Sequence, residues 1–433
     1  MQGENIRGVY QLGSPFQLSS TQVGLSLNIR YSGIRAVDLE IGSDLAIFDD
    51  INNISDSHIQ KLTRYSHGVH PKTGRKMLLA RYPVIVNFVP FGAKRPDGTP
   101  HPFAGTGFGI NSVIGFPDDR LSSDVFEGME EEEQFYAVEI HQYTYDGTHF
   151  REVSGRMYRP DELLDGFLLG GGAMSTAIAD GDDLILPLSG MRNSGSSPIQ
   201  INGCGLVRFR CIEKQWKAAE YLPVIADTEH FYSIGGTFGN YVEPSAMRDI
   251  DGSLLFVMRE VGEKPFAAGP LEAERLRIFR SADNGRNWET IIDLPHFHPL
   301  TPLAIIRTAG GTPCICANEY CTKSSKGEVW GSIVLRERML LHELSTDRSH
   351  LLKPLMVRDC VGEFPVPYFD SWWRIDHPIG LPVRLKDGRW HGLLCYRILE
   401  HAECDLDAPM TPLTGCYVEE IYTGGDEAPL WVF

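Results

Sequence analysis

Basic charge, long apolar runs and helical periodicity are all scarce in this sequence. No run of about 18 apolar residues occurs, so we expect no membrane-spanning helix. Lysine and arginine total 40 against 57 aspartates and glutamates, which gives a formal net charge of −17. A surface of that sign repels nucleic-acid phosphates and anionic lipids, so we expect neither a nucleic-acid partner nor a membrane partner.

Cysteine is sparse as well, with nine in 433 residues. An odd and scattered set does not fit a disulfide framework, and the pair Cys314 and Cys316 is too tight for a zinc knuckle. We therefore expect free thiols, no metal site and no cofactor. The opening residues MQGENIRGVYQLG lack the basic start and apolar stretch of a secretory signal. That indicates a cytoplasmic chain as supplied, and secretion with the leader already removed stays open.

One phrase recurs along the chain: a strand, an Asp-Gly or Gly turn, and a second apolar strand. It reads EPSAMRDIDGSLLFVMRE from Glu243 and HPIGLPVRLKDGRWHGLLCYR from His377. Looser copies begin at Ala173 and Pro302, and the most divergent begins at His101. These starts are about 60 to 75 residues apart, which indicates an internal repeat.

A second phrase lies between those copies, where a strand runs into a tight polar turn closed by a large apolar residue. Its clearest form is FRSADNGRNWETI, closed by Trp288. The weaker forms are closed by Phe150, Trp216 and Leu351, again about 60 to 75 residues apart. Two interleaved phrases with one period favour a repeated structural unit.

The period of about 70 residues accommodates four strands with their turns, which is the size of one propeller blade. The segment from Ser26 can supply a further blade, which makes six across the 433 residues. Short β-branched and alternating apolar stretches, separated by 44 glycines and 27 prolines, indicate strands rather than helices. We predict an all-β fold, a six-bladed β-propeller of four-stranded antiparallel blades, with residues 1–433 in a single domain.

The turn after the strand at residue 280 has a mechanical logic. Ser281 and Asp283 can bond the turn backbone, Gly285 permits a positive φ, and Trp288 can pack between neighbouring blades. This pattern resembles the Asp-box of the sialidase-like (BNR-repeat) propellers. The resemblance implies their fold, and it leaves the activity open, since hydrolases, lyases and lectins all use such propellers.

A further resemblance to sialidases lies in the preceding strands. Glu243 and Arg259 lie eight residues on either side of Asp251, which reproduces the family's glutamate-to-arginine spacing. In the family this glutamate polarises a tyrosine nucleophile, and the arginine is one of three that clamp the substrate carboxylate. Arg338 resembles a second family arginine. The family's tyrosine is absent from Arg374–Ile379, and no Phe-Arg-Ile-Pro-like segment occurs, so the chain diverges from standard sialidases.

Residues at the starts of inner propeller strands converge on one mouth of the central channel. Cleavage of a glycosidic bond needs a carboxylate with a second carboxylate or an imidazole, so we predict Glu243, Asp376 and His377 as catalytic. Arginine forks pair with acidic sugars, and aromatic rings stack on sugar faces. On that basis the predicted substrate-binding residues are Arg259, Arg338, Arg397, His101, Tyr241, Trp372 and Trp373.

Three functions remain open on the sequence. The first is a glycoside hydrolase acting on an acidic or polar oligosaccharide, with that glycan as partner. The second is a lyase that cleaves by β-elimination beside a uronic acid. It would use a histidine and a tyrosine as base and acid and an arginine to neutralise the carboxylate, roles open to His377, His101, Tyr241 and Arg259. The third is a non-catalytic glycan-binding propeller. A lectin would be expected to repeat its binding residues in several blades, whereas the Glu243 and Arg259 pair occurs once, so an enzyme is favoured.

Overall fold

The computed structural model consists mainly of β-strands. Strands account for 68% of it and helix for 3%, as the predicted all-β class requires. No helix in the part of the chain that the structure describes is long and apolar enough to cross a membrane. The described residues are 4–7, 10–30, 40–95, 97–117, 135–159, 162–164, 167–171, 174–193, 200–232, 241–260, 274–298, 301–308, 310–319, 323–324, 327–328, 336–363, 372–401 and 415–423.

The first half of the chain forms three antiparallel sheets, named here I to III. Sheet I contains β2 (Tyr10–Gln17), β3 (Val23–Arg30), β4 (Glu40–Phe48) and β5 (His58–Thr63). Sheet II contains β6 (Ser66–Val69), β7 (Lys76–Val89), β8 (Thr106–Pro117), β9 (Phe135–Tyr145) and β10 (Phe150–Tyr158). Sheet III contains β11 (Phe167–Gly171), β12 (Ile178–Asp180), β13 (Asp183–Asn193), β14 (Gln200–Ile212) and β15 (Gln215–Tyr232).

The second half forms sheets IV to VI and a short ribbon. Sheet IV contains β16 (Tyr241–Arg248), β17 (Leu254–Glu260), β18 (Glu274–Ser281) and β19 (Glu289–His298). Sheet V contains β20 (Ala304–Arg307), β21 (Pro313–Asn318), β24 (Arg338–Glu343) and β25 (Leu355–Asp359), and the ribbon pairs β22 (Lys323–Ser324) with β23 (Gly327–Glu328). Sheet VI contains β26 (Trp372–Arg384), β27 (Trp390–His401), β28 (Gly415–Thr423) and β1 (Glu4–Arg7). The helices are a 3₁₀ segment, Ile51–Asp56, and α1, Cys360–Glu363.

The sheets are arranged in a ring around a central channel. Strand β16 contacts β20, β20 contacts β26, β26 contacts β2, and β2 contacts β7. Sheet III joins its neighbours through β13 against β16 and β11 against β8. The amino-terminal strand β1 pairs with β28, so segments from the beginning and the end of the described chain share sheet VI.

Apolar residues fill the interfaces between neighbouring sheets, and that packing holds the ring together. Each of the six largest buried clusters joins two consecutive sheets. Phe108 packs with Phe209 between sheets II and III, and Leu25 packs with Val418 between sheets I and VI. Alternation along each strand produces this arrangement, because both faces of a sheet in a ring meet another sheet.

The number of blades differs from the prediction. Five propeller blades are present rather than six, although six sheets surround the channel. Sheet III is the least regular of the six, because its inner position is divided between β11 and the three-residue strand β12, which both pair with β13. The copy of the repeat from Ala173 therefore does not build one continuous inner strand.

The turn between β18 and β19 makes the hydrogen bonds that its sequence predicts. The Ser281 hydroxyl donates to the Asp283 carboxylate at 2.8 Å and accepts the Gly285 N–H at 2.8 Å. Gly285 has a φ of 88°, and a Cβ there would lie 3.0 Å from Leu206 of sheet III. The Trp288 indole N–H donates to the Gly285 carbonyl at 3.0 Å, and the half-buried ring packs on the apolar cluster between sheets III and IV. The exposed Asp283 does not line the channel.

Replacing Trp288 with alanine tests whether this turn joins the two sheets. We expect a loss of about 3 kcal/mol in the free energy of unfolding, the lower end of the range for large aromatic residues, because the ring is half-buried. Urea unfolding measures it, with Arg286→Ala in the exposed part of the same turn as the control. Equal stabilities of the two variants would contradict this role.

Candidate functional site

Six non-glycine residues in the described ranges adopt a left-handed backbone conformation. Four belong to turns between strands, where this conformation is common: Glu213, Lys214, Asn284 and Arg348. The other two, Glu243 and His377, lie inside strands β16 and β26, with φ values of 51° and 55°. Left-handed residues within strands need a separate explanation.

Glu243 and His377 occupy equivalent places in the repeat. Each sits where the pairing of the inner strand with the second strand shifts register, and each precedes a proline, Pro244 or Pro378. A proline disfavours compact conformations of the residue before it, and a left-handed non-glycine residue costs about 1–3 kcal/mol. Strain of this kind at two matching positions indicates a functional constraint, because bulges re-aim side chains.

The two bulges bring side chains from different sheets together. Imidazole Nε2 of His377 lies 3.6 Å from carboxylate Oε1 of Glu243. Sheets IV and VI are not neighbours, because sheet V stands between them in the ring and its strand β20 contacts both β16 and β26. The contact between Glu243 and His377 therefore joins two sheets that flank sheet V. The structure therefore brings together two of the three predicted catalytic residues, which are 134 positions apart in the sequence.

Arg259 completes the contact on the other side of Glu243. Its Nη1 donates to Oε2 of Glu243 at 2.8 Å, and the two side chains are 14% and 18% exposed. Burial raises the pKa of Glu243, but the charge of Arg259 and the hydrogen bond with His377 outweigh it and hold the pKa well below its ordinary value. Glu243 is therefore ionised at neutral pH and is not a proton donor there.

Asp376 lies under His377 and is fully buried. Its Oδ1 accepts a hydrogen bond from Nδ1 of His377 at 2.8 Å, which fixes the ring and directs Nε2 towards Glu243. Arg336 donates to Oδ2 of Asp376 at 2.5 Å, and Arg397 donates through Nε and Nη2 to both oxygens. Two guanidinium groups thus compensate a carboxylate that would otherwise be costly to bury.

Two predicted roles change on this geometry. Asp376 was predicted as a catalytic residue and Arg397 as a substrate-binding residue, but they are 0% and 1% exposed. Neither side chain is accessible to a substrate; Asp376 binds His377, and Arg397 binds Asp376. Asp376 and Glu243 stand at opposite nitrogens of one ring, at most about 9 Å apart, within the carboxylate separations used in glycosidic cleavage.

Arg336 is the site residue that the sequence analysis missed. It lies two residues before β24 and is 3% exposed, and its carbonyl accepts the Ile375 N–H at 2.7 Å. The sequence analysis predicted Arg338 in its place. The Arg338 side chain is 39% exposed and pairs with Glu319 at 3.1 Å and with Asp359 at 3.2 Å. Two arginines two residues apart in one segment could not be distinguished without knowing which of them faces the neighbouring sheet.

His101 lies at the other end of the sheets, so its prediction as a substrate-binding residue is wrong. It belongs to the loop after β7, whereas the site is formed at the starts of inner strands. Its Nε2 lies 3.3 Å from the Gly181 carbonyl, and the residue is 3% exposed. Burial lowers the pKa of His101. The Pro after His101 resembles the repeat phrase, but a loop and not a bulged strand follows it.

The predicted aromatic residues are placed only in part. Tyr241 begins β16 and is half-buried, with the Arg277 guanidinium 5.8 Å from its ring centre. Trp372 and Trp373 begin β26, where they pair with His401 and Glu400, and their side chains lie outside the described residues. No group of three or more metal-ligating side chains occurs in the described part of the chain.

Comparisons with known proteins show the fold. No family model and no curated protein matches the sequence. Among solved structures, the chain is similar to Trypanosoma rangeli sialidase with the inhibitor DANA (TM-score 0.52, 12% identity), covering 96% of this chain and 55% of that one. It is also similar to Hadza microbial sialidase Hz136, with a TM-score of 0.53 and 11% identity, covering 97% of this chain and 68% of that one. A protein of unknown function from Dyadobacter fermentans matches with a TM-score of 0.50 and 13% identity, covering 96% of both chains.

The chain spans about half the length of the Trypanosoma sialidase chain. Identities this low carry the fold and not the activity. The chain has the β-propeller fold of these sialidases.

The ionised state of Glu243 gives a testable pH dependence. A carboxylate whose pKa is lowered on folding stabilises the protein above its unfolded pKa, about 4.5, and this contribution is lost as the pH falls towards the native value. The stability of the wild type relative to Glu243→Gln should therefore decrease as the pH falls from 6 to about 3.5. Urea unfolding across this range measures it, and a difference independent of pH would contradict the ionised pair.

Proposed function

We propose that the chain is a glycoside hydrolase that cleaves a glycosidic bond in an acidic or polar oligosaccharide. The observation that carries the proposal is the meeting of Glu243 and His377 on two left-handed bulges, 3.6 Å apart. Strained residues of this kind cluster at active sites, where the strain fixes a geometry that the reaction needs. The sialidase-like fold is compatible with this reaction class.

His377 is the proposed general base. Asp376 holds Nδ1, so Nε2, which lies 3.6 Å from Glu243, is the nitrogen left to accept a proton from a water bound beside the two side chains. The water oxygen bonds to the anomeric carbon as the glycosidic C–O bond breaks, and the departing oxygen takes its proton from bulk water. The buried carboxylate stabilises the imidazolium that forms. The proposed reaction uses acid–base chemistry of side chains, which needs neither a metal nor a cofactor.

Ionised Glu243 is the proposed electrostatic partner. Positive charge develops on the sugar ring as the glycosidic bond breaks, and a fixed carboxylate beside it lowers the energy of that state. In this scheme Glu243 and His377 contact the reacting atoms, and Asp376, Arg336 and Arg397 are positioning residues.

Arg259 is the proposed binding group for an anionic substituent of the sugar. Its Nη1 is engaged by Glu243, whereas its buried Nε has no hydrogen-bond partner among the described residues. The cluster of Glu243, Asp376, Arg259, Arg336 and Arg397 contains three positive and two negative side chains. That excess of positive charge favours a carboxylated sugar, on a protein whose net charge is −17.

A β-elimination lyase is the second candidate, and one observation favours it. The residue at the bulge of β26 is a histidine, His377, and not a tyrosine. Its neighbour Glu243 is in turn bound by Arg259. The same base could remove the proton next to a uronate carboxylate that Arg259 neutralises. Ultraviolet absorbance of the unsaturated product separates the lyase from the hydrolase, which releases reducing sugar without it.

Activity of site variants on a panel of uronic-acid and sialic-acid glycans tests the proposal. We expect His377→Ala and Glu243→Gln to lower kcat by roughly 10²–10⁴-fold. Arg259→Lys keeps the charge but loses the planar fork, so it should mainly raise KM for acidic glycans. Arg338→Lys is the matched control and should retain wild-type kinetics.

Two results would overturn this assignment. Wild-type turnover by His377→Ala would show that His377 is not the general base. Binding of glycans without turnover of any of them would favour the non-catalytic glycan-binding propeller.

A further inference from the structure

The central channel contains a cavity of about 70 Å³ at some distance from the site described above. It is lined from all six sheets, with Arg248 and Arg307 at the ends of β16 and β20. Glu243 lies at the start of β16, five residues before Arg248. At the rise of an extended strand that separation is about 16 Å, so the cavity is not part of the Glu243 and His377 site.

Arg307 is the unusual residue in this cavity. It is 8% exposed, and its one hydrogen bond in the described structure runs from Nη1 to the Arg248 carbonyl at 3.3 Å. No carboxylate among the described residues lies within ion-pair distance of it. Burial, with repulsion from Arg248, lowers the pKa of Arg307 to about 10 against the opposing charge of Asp249. A buried guanidinium without a paired anion is costly.

The nearby carboxylates are already engaged by other arginines. Asp249 accepts two hydrogen bonds from Arg348, at 2.7 and 2.8 Å. Asp180 accepts from Arg208 at 2.5 Å and from Arg248 at 3.2 Å. Of the two arginines that line the cavity, Arg248 is therefore paired with Asp180, whereas the carboxylates near Arg307 are directed to other arginines.

We propose that this cavity binds a small inorganic anion, with chloride as the physiological occupant, held by Arg307 and drawn by the charge of Arg248. The volume admits several water-sized groups, as a small anion requires. The polar side chains of Asn87 and Thr176 also line the cavity. An anion there neutralises the charge of Arg307 at a point where all six sheets meet, so its binding stabilises the ring.

Thermal unfolding in sodium chloride and in sodium gluconate at equal ionic strength tests the proposal. Gluconate is much larger than chloride and carries the same charge, so the difference between the two salts separates binding of a small anion from general screening. The Tm of the wild type should rise with the logarithm of the chloride concentration once chloride exceeds Kd, and should be about 3 °C higher at a hundredfold excess over Kd. Arg307→Met should abolish the chloride increment whatever its own Tm, and Arg286→Met, at an exposed arginine, should retain it.

Bromide provides a direct readout on the unmodified protein. Crystals grown in sodium bromide should give an anomalous peak within hydrogen-bond distance of the Arg307 guanidinium. Equal Tm values in the two salts, a chloride increment that persists in Arg307→Met, or a cavity without anomalous density in bromide would each overturn the proposal.

Discussion

The buried carboxylate of Asp376 is the interaction on which the site depends. Three cationic or proton-bearing side chains converge on its two oxygens: His377 from the same strand, Arg397 from the paired strand and Arg336 from sheet V. Removing one partner from such a cluster leaves an uncompensated buried charge, which typically costs 3–5 kcal/mol. The cluster therefore holds the imidazole in one orientation and also ties sheet V to sheet VI.

Bulges in the inner strands β16 and β26 bring Glu243 and His377 together beside this buried cluster. A regular strand would alternate its side chains between two faces, and Glu243 and His377 would then pack into the interfaces between sheets. The extra residue at each bulge rotates the chain, and the left-handed conformation aims the side chain at the mouth of the channel. The apolar clusters on both sides of each sheet supply the energy that maintains these strained residues.

The repeat period and the Asp-box predicted the fold class because they reflect local requirements of strands and turns. The prediction of Glu243, Arg259 and His377 as neighbours succeeded because equivalent positions in a repeat meet at one mouth. His101 failed, since a His-Pro pair at a loop resembles one at a bulge. Arg336 was missed because its role depends on a contact with another sheet. The divided inner position of sheet III was missed because the repeat period in the sequence does not reveal it.

The stability of His377→Gly compared with His377→Ala tests the central claim most directly. Both variants remove the imidazole, so they differ in backbone preference alone. At an ordinary strand position glycine is less stable than alanine by roughly 0.5–1 kcal/mol, whereas at a left-handed position the order reverses by about 1 kcal/mol. The strained bulge predicts that His377→Gly is the more stable of the two in urea unfolding. A more stable His377→Ala would contradict it.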